Sequence, residues 1–149
     1  METKFNFKSQ ICTDKIQSEH LLALGLKKET ADMFYAAIHK NAKVVGYRVS
    51  SSYNDEQFEI FTDDIPAWSL GRLLEMLPSP IPISEDLPTF HHYAYLDLSK
   101  VSAHYYWEDY DGAERALASF CGNGFFAAVV DATEWLIKGG NFPKEYLEE

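Results

Sequence analysis

The stretch HHYAYLDLSKVSAHYYWE, residues 91–108, decides the fold. Side chains on a strand alternate between the two faces of its sheet. Residues 91–98 and 101–108 read as two strands joined by a tight turn at Ser99-Lys100. Ala94, Leu96 and Leu98 then share a face with Val101, Ala103, Tyr105 and Trp107. The opposite face carries His91, Tyr93, Tyr95 and Asp97 with Ser102, His104, Tyr106 and Glu108. The first face is core. The second is polar and aromatic, and meets either a covering helix or a partner.

Outward from this hairpin, RALASFC (115–121) suits a third strand by length and alternation, although Ala, Arg and Leu also favour a helix; the strand is the expectation. Gly122-Asn123-Gly124 turns the chain into FFAAVVDATEWLIK, with Asn123 as its N-cap. Phe125, Ala128, Val129, Ala132 and Leu136 form its apolar stripe, and Gly139-Gly140 end it. The acidic tail, 141–149, is expected to fray.

On the N-terminal side, PSPIPISEDLP (78–88) holds four prolines and reads as an extended, irregular connector rather than a domain boundary. Before it, DDIPAWSLGRLLEMLP predicts a helix capped by Asp63 or Asp64, with Pro66 in its first turn and Leu70, Leu73, Leu74 and Leu77 along one stripe. Gly71 inside it suggests close approach of another backbone. Residues 43–50 and 57–62 alternate as strands around a hairpin-like SSYNDE. Residues 13–24 predict a helix capped by Thr13 or Asp14 and ended at Gly25, and 29–37 a second short helix. The sum is one α+β domain over 1–149: an antiparallel sheet of about four or five strands with helices mainly on one face.

Composition narrows the function. The chain of 149 residues has a formal net charge of −10, with eight Lys/Arg against five Asp/Glu in residues 1–48 and five against eighteen thereafter. Such a field repels phosphate, so no nucleic-acid partner is expected. Lys4, Lys8, Lys15, Lys27 and Lys28 could make a small basic patch, but read better as a solvated helix surface. Cys12 and Cys121 are too few for a disulfide scaffold. The N-terminus lacks a secretory apolar run, and no apolar run approaches the ~18 residues of a membrane span. The expectation is a cytoplasmic protein with no membrane partner.

No catalytic, cofactor-binding or metal-ligating set emerges. His91 and His92 point to opposite faces, and His104, placed opposite Tyr95, lies roughly 13 Å along the strand from His91, too far to share an ion with Asp97. Cys121 before a helix N-terminus could be an activated thiol, but a small buried hydrophobe is the better reading. Gly122-Asn123-Gly124 lacks the longer phosphate-binding pattern. The carboxylate pairs Asp63/Asp64, Glu108/Asp109/Asp111 and Glu148/Glu149 are explained as a cap, a turn and a terminus. What remains is a candidate interaction face of Tyr93, Tyr95, His104 and Tyr106. Tyrosine supplies contact area at low rotamer cost. The expected function is a small interaction or regulatory protein, as a homodimer or with a protein partner. An acidic mimic binding a basic partner, and a small enzyme of unrecognised chemistry, are the alternatives.

Three stretches, SEHLLALGLKKETADMFY (18–35), IPAWSLGRLLEMLP (65–78) and DATEWLIKGG (131–140), resemble a family of short bacterial proteins found in genomes and integrated mobile elements. All three are helix-and-cap segments covering under a third of the chain. The resemblance implies a shared fold, and no activity, cofactor or site residue.

Overall fold

The computed structural model describes residues 10–35, 46–47 and 64–149. Among them the chain is α+β. A four-stranded antiparallel sheet runs in the order β4 (Ile81–Pro82), β5 (Tyr93–Leu98), β6 (Ser102–Glu108), β7 (Glu114–Cys121). A smaller antiparallel sheet runs β2 (Gly46–Tyr47), β1 (Met33–Tyr35), β3 (Ile65–Ala67). Three α-helices complete the described residues: α1 (Lys15–Ala23), α2 (Leu70–Met76) and α3 (Phe125–Lys138).

Helix α3 covers the inner face of the larger sheet. Ala128, Val129, Ala132, Thr133 and Leu136 are buried along it. Val129 and Leu136 share one buried core with Ala94, Tyr105 and Trp107, which with buried Ala103 lie on the hairpin face assigned to the core. Trp135 packs its ring 5.7 Å from both Tyr105 and Phe120. The Tyr105 hydroxyl donates to the Pro78 carbonyl at 2.6 Å, which satisfies the one polar atom of a fully buried ring. Gly139 and Gly140 close the helix, with the Asn141 amide reaching back to the Leu136 carbonyl and Gly140 at φ 72°.

The helix start differs from expectation. Its N-cap is Gly124, at φ 103°, without a side-chain hydrogen bond, so Asn123 does not cap it. Helix α2 also starts later than its sequence suggests. Ser69 caps it by accepting from the Arg72 amide at 3.1 Å, and Asp64 has no part in that cap; Asp63 lies outside the described residues. Ile65-Pro66-Ala67 is a strand instead. A residue before proline is driven from the helical region, and β3 is an edge strand, where a missing N–H is tolerated.

The remaining half of the predicted helix 29–37 is corrected too. Lys28–Thr30 form one 3₁₀ turn, and Met33–Tyr35 pair with β3 and β2. Asp32 explains both changes. Its buried carboxylate accepts from the Ser69 amide at 2.8 Å and from the Ser69 hydroxyl, so it holds the head of α2 rather than a turn of its own helix. Trp68, fully buried, donates its indole N–H to the Thr30 hydroxyl and its amide to the Thr13 hydroxyl. The Thr13 amide donates back to the Trp68 carbonyl. The N-terminal helix is as expected: Asp14 and Gln17 form a reciprocal capping box on α1. The strand expected over 43–50 is described only at β2, and that over 57–62 lies outside the described residues.

Two further segments are more ordered than composition implies. Ile81–Pro82 of the proline-rich connector pair with β5 and form the sheet's first edge. The tail is docked, not frayed: Phe142 is buried, Lys144–Tyr146 form a 3₁₀ turn, and Leu147 bridges Leu26. Among the described residues Gly71 meets no other backbone; a Cβ there would have the Ser69 Oγ, at 3.9 Å, as its near neighbour.

Two opposite stability changes follow, read by urea denaturation. Leu136→Ala, at a fully buried position, is expected to lose about 2–5 kcal/mol. Gly71→Ala is expected to gain about 0.5–1 kcal/mol, since the helix gains propensity and no described residue stands in the way of the added Cβ.

Candidate interaction face

The hairpin register is two residues off the sequence expectation. Leu98 pairs with Ala103, Asp97 with His104, Leu96 with Tyr105 and Tyr95 with Tyr106. The turn is therefore centred on Lys100-Val101, closed by the Ser99 amide on the Ser102 carbonyl at 2.9 Å and by the two serine hydroxyls at 2.6 Å. A shift of two conserves the side-chain alternation, so both faces keep their composition. Leu98 and Val101, expected in the core, are exposed at the turn.

Beyond the hairpin, β7 adds its own residues to the outer face. Cys121 stands opposite Ser102, Ser119 opposite His104, Ala116 opposite Tyr106 and Glu114 opposite Glu108. An irregularity between Tyr105 and Tyr106 gives β7 one extra residue there, Leu117. The face thus reads in rows across three strands. Asp97, His104 and Ser119 form one, and Tyr95, Tyr106 and Ala116 the next. Two residues further along β6 and β7 come Glu108 and Glu114, and two residues before Tyr95 on β5 comes Tyr93.

Tyr93 is 49% exposed and Tyr95 43%, while Tyr106 and His104 are half-buried. No described helix covers them. Tyr95 and Tyr106 have ring centroids 6.2 Å apart at 39°, within the range of favourable aromatic pairs. Their hydroxyls and that of Tyr93 make no hydrogen bond among the described residues.

His104 lies in a hydroxyl chain. Its Nε2 is 2.9 Å from Ser102 Oγ and its Nδ1 3.1 Å from Ser119 Oγ. Either hydroxyl can donate or accept, so the ring is held in either tautomer and ties β6 to β7. A Ser–His contact also begins a nucleophilic site. Here the group on Nδ1 is a neutral hydroxyl, which cannot stabilise an imidazolium as a carboxylate does, and Ser102 is buried. The arrangement is a clip across strands.

The other sequence candidates are dispersed. Cys121 is exposed at the end of β7, separated from α3 by three residues, while Cys12 is the buried thiol, 3.7 Å from the Tyr35 hydroxyl. Burial pushes the Cys12 thiol above its ordinary range, and the nearby Asp32 and Asp14 charges add to this. Among the described residues no three of His, Cys, Asp and Glu come together as metal ligands. Asp109 is committed to its turn: Oδ1 accepts from the Ala113 and Asp111 amides at 2.9 and 3.0 Å, and Oδ2 from Arg115 Nε at 2.8 Å. The Ala113 amide first, then the Arg115 guanidinium, hold this carboxyl below the usual range. Of the lysine patch, Lys27 donates to the Glu145 carbonyl and Lys15 lies over the Tyr35 ring; Lys4 and Lys8 lie outside the described residues.

Sequence reasoning missed one part of the surface. Phe90 and Tyr110, 75% and 55% exposed, pack edge-to-face with centroids 4.7 Å apart just beyond β5 and β6. Their turns are joined by the Tyr110 amide on the Pro88 carbonyl and the Thr89 hydroxyl on the Glu108 carbonyl. The available signal was an aromatic residue in each of two turn-forming segments, where neither has a core to enter.

Comparison with protein-family models, with curated proteins and with solved structures finds no match. No helix among the described residues is long and apolar enough to cross a membrane.

Two measurements check this arrangement. A thiol reagent on the native protein is expected to label Cys121 rapidly and Cys12 only on unfolding; equal rates would contradict the burial. Asp109→Asn is expected to lower the thermal midpoint at neutral pH. The depressed carboxyl stabilises the fold above its unfolded value, about 3.9. Its contribution is lost as pH falls through the lower folded value, so the gap between wild type and variant should close below about pH 4.

Proposed function

We propose that the chain is a non-catalytic interaction protein of the cytoplasm that engages a partner protein through the outer face of β5–β7. Tyr93, Tyr95 and Tyr106 supply the contact area, and His104 fixes the strands beneath it. The observation that carries this reading is the exposure of two tyrosines on regular strands, with three hydroxyls that make no hydrogen bond among the described residues. Sheet residues present these rings in a fixed geometry, so little is lost on ordering them at an interface. The net charge of −10 argues for a protein rather than a phosphate-bearing partner.

The test compares capture from native-host lysate by the wild type, by Tyr95→Ala/Tyr106→Ala and by Ile16→Ala, which alters an exposed apolar residue on α1. The tyrosine variant is expected to stay folded, since it removes half-exposed rings, and to lose a specific partner by tenfold or more, about 1.4 kcal/mol. Ile16→Ala is expected to retain it. Equal capture by all three would end the reading. Sedimentation of the wild type at micromolar concentration tests whether the partner is a second copy.

A further inference from the structure

Glu108 and Glu114 are placed directly opposite one another on β6 and β7. Both are exposed, and neither has an ion pair or hydrogen-bonded side chain among the described residues. Like charges directly opposite on neighbouring strands destabilise a sheet. Among the described residues no cation compensates this pair. Arg115, the next residue on β7, gives its Nε to Asp109. The other cation of the hairpin, Lys100, stands in the turn at the far end of the strands. Asp97 and Asp111 add two more exposed carboxylates, at one row and one turn.

The uncompensated pair shares its face with the tyrosines. Tyr95 and Tyr106 fill the row beside it, and Tyr93, two residues before Tyr95 on β5, lies on the same face. The negative face of an aromatic ring attracts a cation, and arginine also stacks on it. A carboxylate pair beside such rings is complementary to a guanidinium or ammonium group. A second copy offers the opposite: on the same face it would bring another Asp97, Glu108, Asp111 and Glu114.

We propose that the outer face of β5–β7 docks a basic, arginine- or lysine-bearing segment of a partner protein, with a cationic side chain seated between the tyrosine rings and the Glu108–Glu114 pair. This rests on the reading of the face as an interaction surface and adds the chemistry of what it takes.

The probe is a labelled oligo-arginine peptide, with oligo-lysine and oligo-glutamate peptides of equal length alongside, read by fluorescence anisotropy at low and physiological salt. The full chain is compared with Glu108→Gln/Glu114→Gln and with Glu148→Gln/Glu149→Gln, which removes the same charge from the tail. The first variant relieves a repulsion, so it is expected to be at least as stable as wild type. It should bind the cationic peptides about tenfold more weakly, while the tail variant changes by less than about twofold. Amide shifts on titration should concentrate on β5–β7. Absence of binding, or equal weakening by both variants, overturns the proposal, the latter because bulk charge would then account for it. If Tyr95→Ala/Tyr106→Ala still abolishes capture of the native partner in that case, the interaction reading survives and only the basic chemistry falls.

Discussion

The arrangement depends on one contact, the burial of α3 against β6 and β7. Val129 and Leu136 are removed from water there, and Tyr105 and Phe120 meet Trp135. Burial of such side chains contributes roughly 1.5–3 kcal/mol each, the largest favourable term available to a chain of this size. Because strand side chains alternate, pressing one face of the hairpin onto α3 commits the other to the outside. The exposed tyrosines are the geometric remainder of that choice. Reversing it would put Asp97, Glu108 and Glu114 into the core.

A second, polar seam anchors the N-terminal part. Thr13, Thr30, Asp32, Trp68 and Ser69 bond one another across separate segments. Each group in this seam is buried or half-buried, so leaving any one unpaired would cost the desolvation of its partner. The seam fixes where α2 begins and which way it points, and α2 in turn closes the core against α3 through Leu73 and Met76. The two faces of the larger sheet therefore differ: one is buried against α3, the other carries the exposed tyrosines.

Much of this was legible in the sequence, and the rest was not for identifiable reasons. The two hairpin faces were readable because alternation survives a register shift of two. The shift itself was not, because it goes with a turn closed between Ser99 and Ser102 that periodicity does not encode. Helix α3 was readable from its stripe and its glycine pair. The start of α2 was hidden: Asp64 and Pro66 are a good local helix signal, and it lost to a capping serine held by Asp32 from another segment. Met33–Tyr35 became a strand for the same reason. Of the candidate face, Tyr93, Tyr95, His104 and Tyr106 followed from periodicity alone. The opposition of Glu108 and Glu114 required the register and the extra residue in β7, which no local pattern encodes.

The docked tail bears on the order in which the molecule is made. Lys27 Nζ reaches the Glu145 carbonyl across 118 positions, and the Lys27 and Glu148 amides bond Tyr146 and Gly25 in the same seam. A nascent chain emerges from the ribosome N-terminal end first. Gly25 and Lys27, which follow α1, therefore find these partners only once residues 145–148 have been made. The β5–β7 strands, neighbours in sequence, are made earlier, and their inner face is covered once α3 follows. The outer aromatic face of the hairpin is thus laid down before the segment that follows the first helix gains its final strap.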